Sequence, residues 1–137
     1  MHGLIATPKD IRGPVSWGEN GITNAFSRSN GSLNTNTIVE FFVYHKKGKY
    51  LEESAANICQ ECNVGGYTDW YLPAIDELRS VYNARFEIGG FTGEDYCSST
   101  EKGKKDVYAI HFKPHRRVEF YYNKVDKDYH IRCVRKF

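Results

Sequence analysis

The sequence predicts an α+β fold, with two or three helices from the first half of the chain packed on an antiparallel sheet from the second. Three observations carry this. Apolar residues between positions 51 and 82 recur at helical spacing, whereas those between 95 and 135 fall into short alternating or aromatic runs. Clusters of Gly, Pro and charged residues separate those runs, as turns between antiparallel strands require. The 137 residues contain no internal repeat and no low-complexity linker, so residues 1–137 read as a single domain.

The elements follow in order. The segment HGLIATP is a strand that Pro8 ends. Residues 9–33 are rich in Gly, Asn and Ser and have no period; Trp17 and Phe26 are placed to pin this long excursion down. NTNTIVEFF, residues 34–42, reads as a short helix capped by Asn34 or Thr35 and broken by the run KKGKY. In YLEESAANICQEC, Leu51, Ala55, Ile58, Cys59 and Cys62 share one helical face. A third helix starts near Ala74, with Ile75, Leu78, Val81 and Tyr82 as its apolar stripe. Asp76 and Glu77 lie in its first turn, where the helix dipole favours acids. EIGGFTGED is a turn region, and DYCSST, VYAIHFK, RVEFYY and YHIRCVR are the strands.

The stretch GGYTDWYLPAIDELRSVY, residues 65–82, crowds aromatics around one aspartate at the door of that third helix. It is a structural corner. Trp70, Tyr71 and Leu72 enter the core as the chain turns, Pro73 sets the entry φ, and Asp69 is placed to bond the backbone of the turn. Glu77 can pair with a basic residue or reach back to the helix start. Asp76 and Glu77 are neighbours on a helix and point apart, which argues against a catalytic carboxylate pair.

Charge is unevenly spread. Residues 1–99 hold 8 Lys/Arg and 12 Asp/Glu, a net of −4, and residues 100–137 hold 11 Lys/Arg and 5 Asp/Glu, a net of +6. Such segregation suggests that the C-terminal region meets an anionic partner. The segment HFKPHRRVEFYYNKVDKDYH, residues 111–130, mixes aromatics with basic residues. From it, His111, Lys113, His115, Arg116, Arg117, Tyr121, Tyr122, Asn123 and Lys124 are the candidate ligand-binding residues. Arg offers forked hydrogen bonds to sulfate or carboxylate, and Tyr can stack on a sugar ring. Adjacent strand residues face opposite ways, so one of each pair reaches a given ligand. The basic residues lie on strands and turns and not on a recognition helix, which disfavours nucleic acid. No run is long and apolar enough to insert in a membrane. Met1 directly precedes a strand-like segment with no basic start or long apolar region, so the chain reads as a piece of a longer exported protein.

Taken in order, HGLIA, Trp17, NTNTIV, AANIC, GGYTDWYLPAIDEL, YCSSTE and IRCVR resemble the Lcl C-terminal domain family, bacterial surface modules named after a collagen-like adhesin. The resemblance runs from His2 to Phe137, and its most specific parts are the corner DWYLP with DEL and the pair SSTE and RCVR. It implies a C-type-lectin-like fold: helices on a twisted antiparallel sheet with long loops and a loop-rich binding face. It also implies adhesion without catalysis or cofactor, an extracellular or cell-surface location (or a phage particle), an anionic glycan such as a sulfated glycosaminoglycan as ligand, and a homo-trimer by analogy with the collagen-like relative. The same fold serves as the variable receptor-binding protein of diversity-generating retroelements. That makes a host or bacterial surface protein the alternative partner. Three features depart from the family pattern: no strand precedes HGLIA, Cys97 stands where a Trp usually precedes SST, and Ala74 replaces a capping Ser, a loss that typically costs about 1 kcal/mol.

Four cysteines in a domain read as exported suggest disulfides. The resemblance pairs Cys59 with Cys133. Cys62 and Cys97 then either pair with each other or stay as buried thiols. CQEC as a redox pair lacks a thioredoxin-like βαβ context. As half a zinc site, completed by Cys97, Cys133 or His111, it lacks a second C-x-x-C. Cys97 with His111 as nucleophile and base lacks an orienting third residue. Neither a metal site nor an enzyme is therefore expected.

Overall fold

The chain forms, in order, β1 (Leu4–Ala6), α1 (Gly31–His45), α2 (Ala55–Gln60), a short 3-10 turn (Val64–Gly66), α3 (Ile75–Asn83), α4 (Arg85–Ile88), β2 (Asp95–Glu101), β3 (Asp106–His111), β4 (Val118–Asn123) and β5 (Val134–Lys136). This is a computed structural model, and it describes residues 3–45, 51–113 and 118–137. β2, β3 and β4 make an antiparallel three-stranded sheet, and β1 pairs antiparallel with β5. The α+β class read from the sequence is the one observed.

The pleat of the larger sheet explains why two apolar clusters exist. Cys97 pairs with Ala109 and faces the cluster of Trp17, Ile38, Phe42, Ile58 and Cys133 from the α1–α2 side. Tyr96 pairs with Ile110 and faces the cluster of Ile75, Leu78, Val81 and Phe112 from the α3 side. With both faces covered, Tyr96–Glu101 is buried without alternation.

Within β2 the register slips between Cys97 and Glu101. The freed SST segment becomes a polar junction. Ser98 donates to the Tyr108 carbonyl (2.7 Å), Ser99 accepts from Asn34 (3.3 Å), and Thr100 donates to the Ser27 carbonyl (2.8 Å). A bulge that leaves polar groups out of the ladder can spend them on neighbouring segments, and this one ties loop 9–30 to the sheet.

The helices depart from their expected limits for local reasons. α1 starts at Gly31, because Asn30 caps it by accepting the Leu33 N–H (3.0 Å). Asn34 and Thr35 are not caps. They lie inside the helix, and Thr35 donates to the Leu72 carbonyl and accepts its N–H (3.3 and 3.0 Å). α2 is short because Ser54 caps it, its hydroxyl accepting from Asn57 (3.3 Å) and donating to Leu51 (2.8 Å). Cys62 falls beyond the helix end. α4 was not expected, since four residues cannot display a period. Only Val134–Lys136 of the expected last strand is regular. Residues Tyr129, Ile131 and Cys133 bond instead to Val15, Ile11 and Thr7 of the irregular N-terminal loop. Phe26, expected to pin that loop, is 48% exposed, whereas Trp17 is fully buried.

At the corner, Trp70 and Tyr71 are 5% exposed and Leu72 not at all. Glu77 is the carboxylate that ties it together. It accepts from the Gly31 N–H (2.8 Å), the Ala74 N–H (3.0 Å) and the Tyr71 hydroxyl (2.7 Å). Gly31 has to be glycine, because a Cβ there would meet Glu77 and the Leu72 and Ala74 backbones at 2.5–2.6 Å. Asp69 lies at the surface, where Arg135 donates to it at 2.6 and 3.2 Å and holds its carboxyl below the usual range.

The missing cap at Ala74 has been replaced from elsewhere. Thr100 accepts the Ile75 N–H (2.9 Å) and the Arg28 carbonyl accepts the Asp76 N–H (2.9 Å). Ala74 is fully buried. Ala74→Ser is therefore expected to leave the thermal midpoint unchanged or lower it, instead of adding the roughly 1 kcal/mol of a new cap. A thermal melt raised by the substitution would contradict this.

Candidate ligand-binding surface

The structure separates the candidate ligand-binding residues more than it gathers them. Lys124 is fully buried. Its Nζ pairs with Glu101, donates to the Gly21 carbonyl (2.8 Å) and lies 4.7 Å from the centre of the Trp17 ring. Burial lowers its pKa despite the attraction of Glu101. Asn123 spends its side-chain oxygen on the Val125 and Asp126 N–H groups (2.7 and 2.9 Å), shaping the turn after β4. His111 is engaged by Asp95, which also pairs with Lys127 (2.6 Å). Burial pushes the Asp95 carboxyl up, but hydrogen bonds from Lys127 and His111 outweigh it and hold the pKa low. Burial closes Lys124 to a ligand, and the Asn123 side-chain oxygen and His111 Nδ1 are already engaged within the fold. Lys113 is exposed, and His115, Arg116 and Arg117 lie outside the described residues.

Tyr121 and Tyr122 are each 54% exposed, on opposite faces of β4. Tyr121 pairs across the ladder with Tyr108, ring centres 6.2 Å apart and nearly perpendicular. Around this aromatic step stand cations that sequence reading did not connect with it. Lys102 lies 5.0 Å from the Tyr121 ring and 5.8 Å from that of Tyr108, and the Arg28 guanidinium is 5.1 Å from Tyr108. Glu119, beside them, is taken up by Arg28 (3.1 Å) and Arg79.

Lys102 opens the β2–β3 hairpin turn, which also carries Lys104 and Lys105. All three side chains are exposed, and none has an ion-pair partner among the described residues. The backbone beneath them is held. Lys102 N–H donates to Asp106 (3.0 Å), while the Lys104 and Lys105 carbonyls accept from Gly21 (2.9 Å) and Lys124 (2.8 Å). Three positive charges without ion-pair partners among the described residues, on a fixed turn beside exposed Tyr121 and half-buried Tyr108, can receive an anionic ring-bearing ligand. The run KGKK was the available signal, but read alone it is an ordinary charged turn. Arg28 gave none, being about 80 residues from Tyr108 in a loop without period.

One disulfide is present, Cys59–Cys133, with Cα atoms 5.5 Å apart. Cys62 and Cys97 do not pair with each other; both are buried thiols. With Cys59 in the bridge, CQEC is neither a dithiol pair nor half a zinc site. Burial pushes the Cys97 thiol up to about 12, far from thiolate chemistry, and its supposed partner His111 is held by Asp95. Arg132, in RCVR, is 1% exposed. It donates to Asp10 (2.8 Å) and to the Thr7 and Gly90 carbonyls (2.9 Å each), so it too holds the fold.

The family model of the Lcl C-terminal domain matches residues 9–135. Among solved structures, a fimbrial protein from Bacteroides ovatus is similar at a TM-score of 0.61 and 14% identity, over 98% of this chain and 35% of that one. The chain thus spans about a third of the fimbrial protein it matches. No curated protein matches in sequence. Among the described residues, no helix is long and apolar enough to cross a membrane, and no group of three or more His, Cys, Asp or Glu is placed to hold a metal ion.

Proposed function

Because this chain belongs to the Lcl C-terminal domain family, we propose that it is a non-enzymatic adhesion module of a bacterial surface protein, C-type-lectin-like in fold, that binds an anionic glycan. The fold shared with a fimbrial protein supports a surface setting. The observation that carries the ligand class is the hairpin turn, where Lys102, Lys104 and Lys105 have no ion-pair partner among the described residues and Lys102 lies beside Tyr108 and Tyr121. Ammonium groups hold sulfate or carboxylate through charge-assisted hydrogen bonds, while an exposed tyrosine ring offers a sugar an apolar face. This differs from the site expected from sequence in resting on the β2–β3 turn and one face of β4, with Tyr121 as the residue common to both.

Binding to an array of sulfated and neutral glycans, at low and physiological salt, tests it. Selective binding to sulfated glycans is expected, weakening as salt rises. Replacing Lys102, Lys104 and Lys105 together by alanine should weaken it at least tenfold, as should Tyr121→Ala. A protein receptor is the second reading. It is favoured by Tyr122, which carries exposed aromatic surface round to the other face of the edge strand. Absence of binding to every glycan would move the search to that class.

A further inference from the structure

The β2–β3 hairpin carries its lysine turn at one end and a separate cavity at the other. This cavity, of about 240 Å³, is walled by Phe86, Phe91 and Phe112, while Gly89, Gly90 and Gly93 bring only backbone to it. The Phe91 and Phe112 rings lie 4.9 Å apart with planes 30° from parallel, and Tyr82 backs Phe112 edge-on at 5.1 Å. Phe112 is 3% exposed, whereas Phe86 is 80% exposed. Beside these rings stands Arg85, its guanidinium 4.0 Å from the centre of the Tyr82 ring and 4.5 Å from that of Phe86. It spends Nη1 on the Tyr82 carbonyl (2.9 Å), and its Nε and Nη2 have no acceptor among the described residues. Exposed Lys113 adjoins the cavity, since a Cβ on Gly93 would touch its stem at 3.9 Å. Neither cation has an ion-pair partner among the described residues. Glu87 and Glu94, the acids nearest in sequence, are exposed and neither lines the cavity. The backbone N–H groups of Gly90, Phe91 and Gly93 also have no acceptor among the described residues.

We propose that this cavity binds a small aromatic carboxylate, a single planar ring with a short acid arm. The ring packs against Phe86, Phe91 and Phe112, and the carboxylate meets the Nε and Nη2 groups of Arg85, with Lys113 adding attraction at the edge. The walls select the ring. Among the described lining residues only Thr92 has a side-chain hydroxyl, and it already accepts the Glu94 N–H (3.2 Å), so the hydroxyls of a sugar would go largely unpaired there. Arginine selects the acid, because the free edge of a guanidinium fits the two oxygens of a carboxylate in parallel. Two rings already hold that guanidinium in place, so little side-chain freedom is lost when the ligand arrives. Size limits the ligand further, for the cavity is smaller than the roughly 300–1,000 Å³ of sites that take larger molecules. The site shares no residue with the lysine turn, so the proposal is independent of the glycan reading.

The test is an amide NMR titration of the isotope-labelled protein with phenylacetate, set beside phenylacetamide, which keeps the ring and loses the charge, and glucuronate, which keeps the charge and loses the aromatic ring. Saturable shifts of the Gly90, Phe91 and Gly93 amides with phenylacetate are expected. Each of the other two probes should bind at least about tenfold more weakly, as the loss of a charge-assisted contact or of the ring packing requires. Arg85→Gln should weaken phenylacetate severalfold and leave phenylacetamide unchanged, whereas Phe86→Ala should weaken both. Because Phe86 is exposed, that variant is expected to fold, and circular dichroism checks both variants. The proposal is overturned by the absence of saturable shifts at these amides, by equal binding of phenylacetate and phenylacetamide, or by glucuronate binding as tightly as phenylacetate. Equal weakening of both ring probes by Arg85→Gln would also overturn it, since Arg85 would then shape the wall without reading the acid. Shifts confined to the Lys102, Lys104 and Lys105 amides would do the same, placing the anion on the lysine turn instead.

Discussion

Replacing Cys59 and Cys133 together by alanine is expected to lower the stability of the fold by about 4 kcal/mol and its thermal midpoint by roughly 10–15 °C. The bridge joins residues 74 apart in sequence, so it closes most of the chain into one loop. In the chain-entropy account, a loop of that size restrains the unfolded ensemble by about 4 kcal/mol. It also staples α2 to the residue just before β5, and thus the helical layer to the last strand. Both sulfurs are fully buried, so alanine leaves a small void and no stranded polar group. Urea unfolding of the double variant, compared with the unmodified protein before and after reduction, measures the effect. Reduction should bring the unmodified protein to the midpoint of the variant. A loss under about 1 kcal/mol would show that the unfolded chain is already restrained without the bridge.

Glu101→Ala is expected to be as damaging, costing about 3–5 kcal/mol, while Lys124→Met costs less. The side chains of both residues have no exposed surface. Glu101 does two jobs. It neutralises Lys124, and its carboxylate accepts from the Thr23 N–H (2.9 and 3.1 Å) and the Asn24 N–H (3.1 Å), holding the loop before α1 against β2. Removing it strands a buried ammonium and two backbone donors together. Removing Lys124 leaves Glu101 with both backbone partners, and a methionine can lie on the Trp17 ring where the Lys124 ammonium now sits 4.7 Å from its centre. A double-mutant cycle by chemical unfolding reads the coupling. Equal losses for the two single changes would show that the backbone bonds of Glu101 contribute little.

Some of the candidate surface was legible in the sequence and some was not, for reasons visible in particular residues. Tyr121 could be read because aromatic alternation marks a strand and a strand must expose one face. Lys124, three residues on, could not be told from a surface lysine. Its fate depends on Glu101 and Trp17, 23 and 107 residues away in sequence. Asn123 shapes a turn through its side-chain oxygen, which depends on that oxygen finding the Val125 and Asp126 N–H groups. Lys102 and Arg28 join Tyr108 only because the hairpin and loop 9–30 meet at the same face.

By itself, the sequence determined the class of fold, the buried corner at Trp70–Leu72 and the order of helices before sheet. These rest on periodicity, proline and turn chemistry, which act over a few residues. The Lcl C-terminal pattern also carried the Cys59–Cys133 pairing. Tertiary structure alone decided how long α1 runs, that Glu77, read from sequence as able to reach back to the helix start, also takes the Gly31 N–H, and that the SST segment leaves its ladder. It also decided which of the described basic residues are buried and which stand in solvent without an ion-pair partner among the described residues. Each of these turns on a hydrogen bond or ion pair between segments distant in sequence. Whether a charge faces water or a carboxylate is settled only when those segments meet.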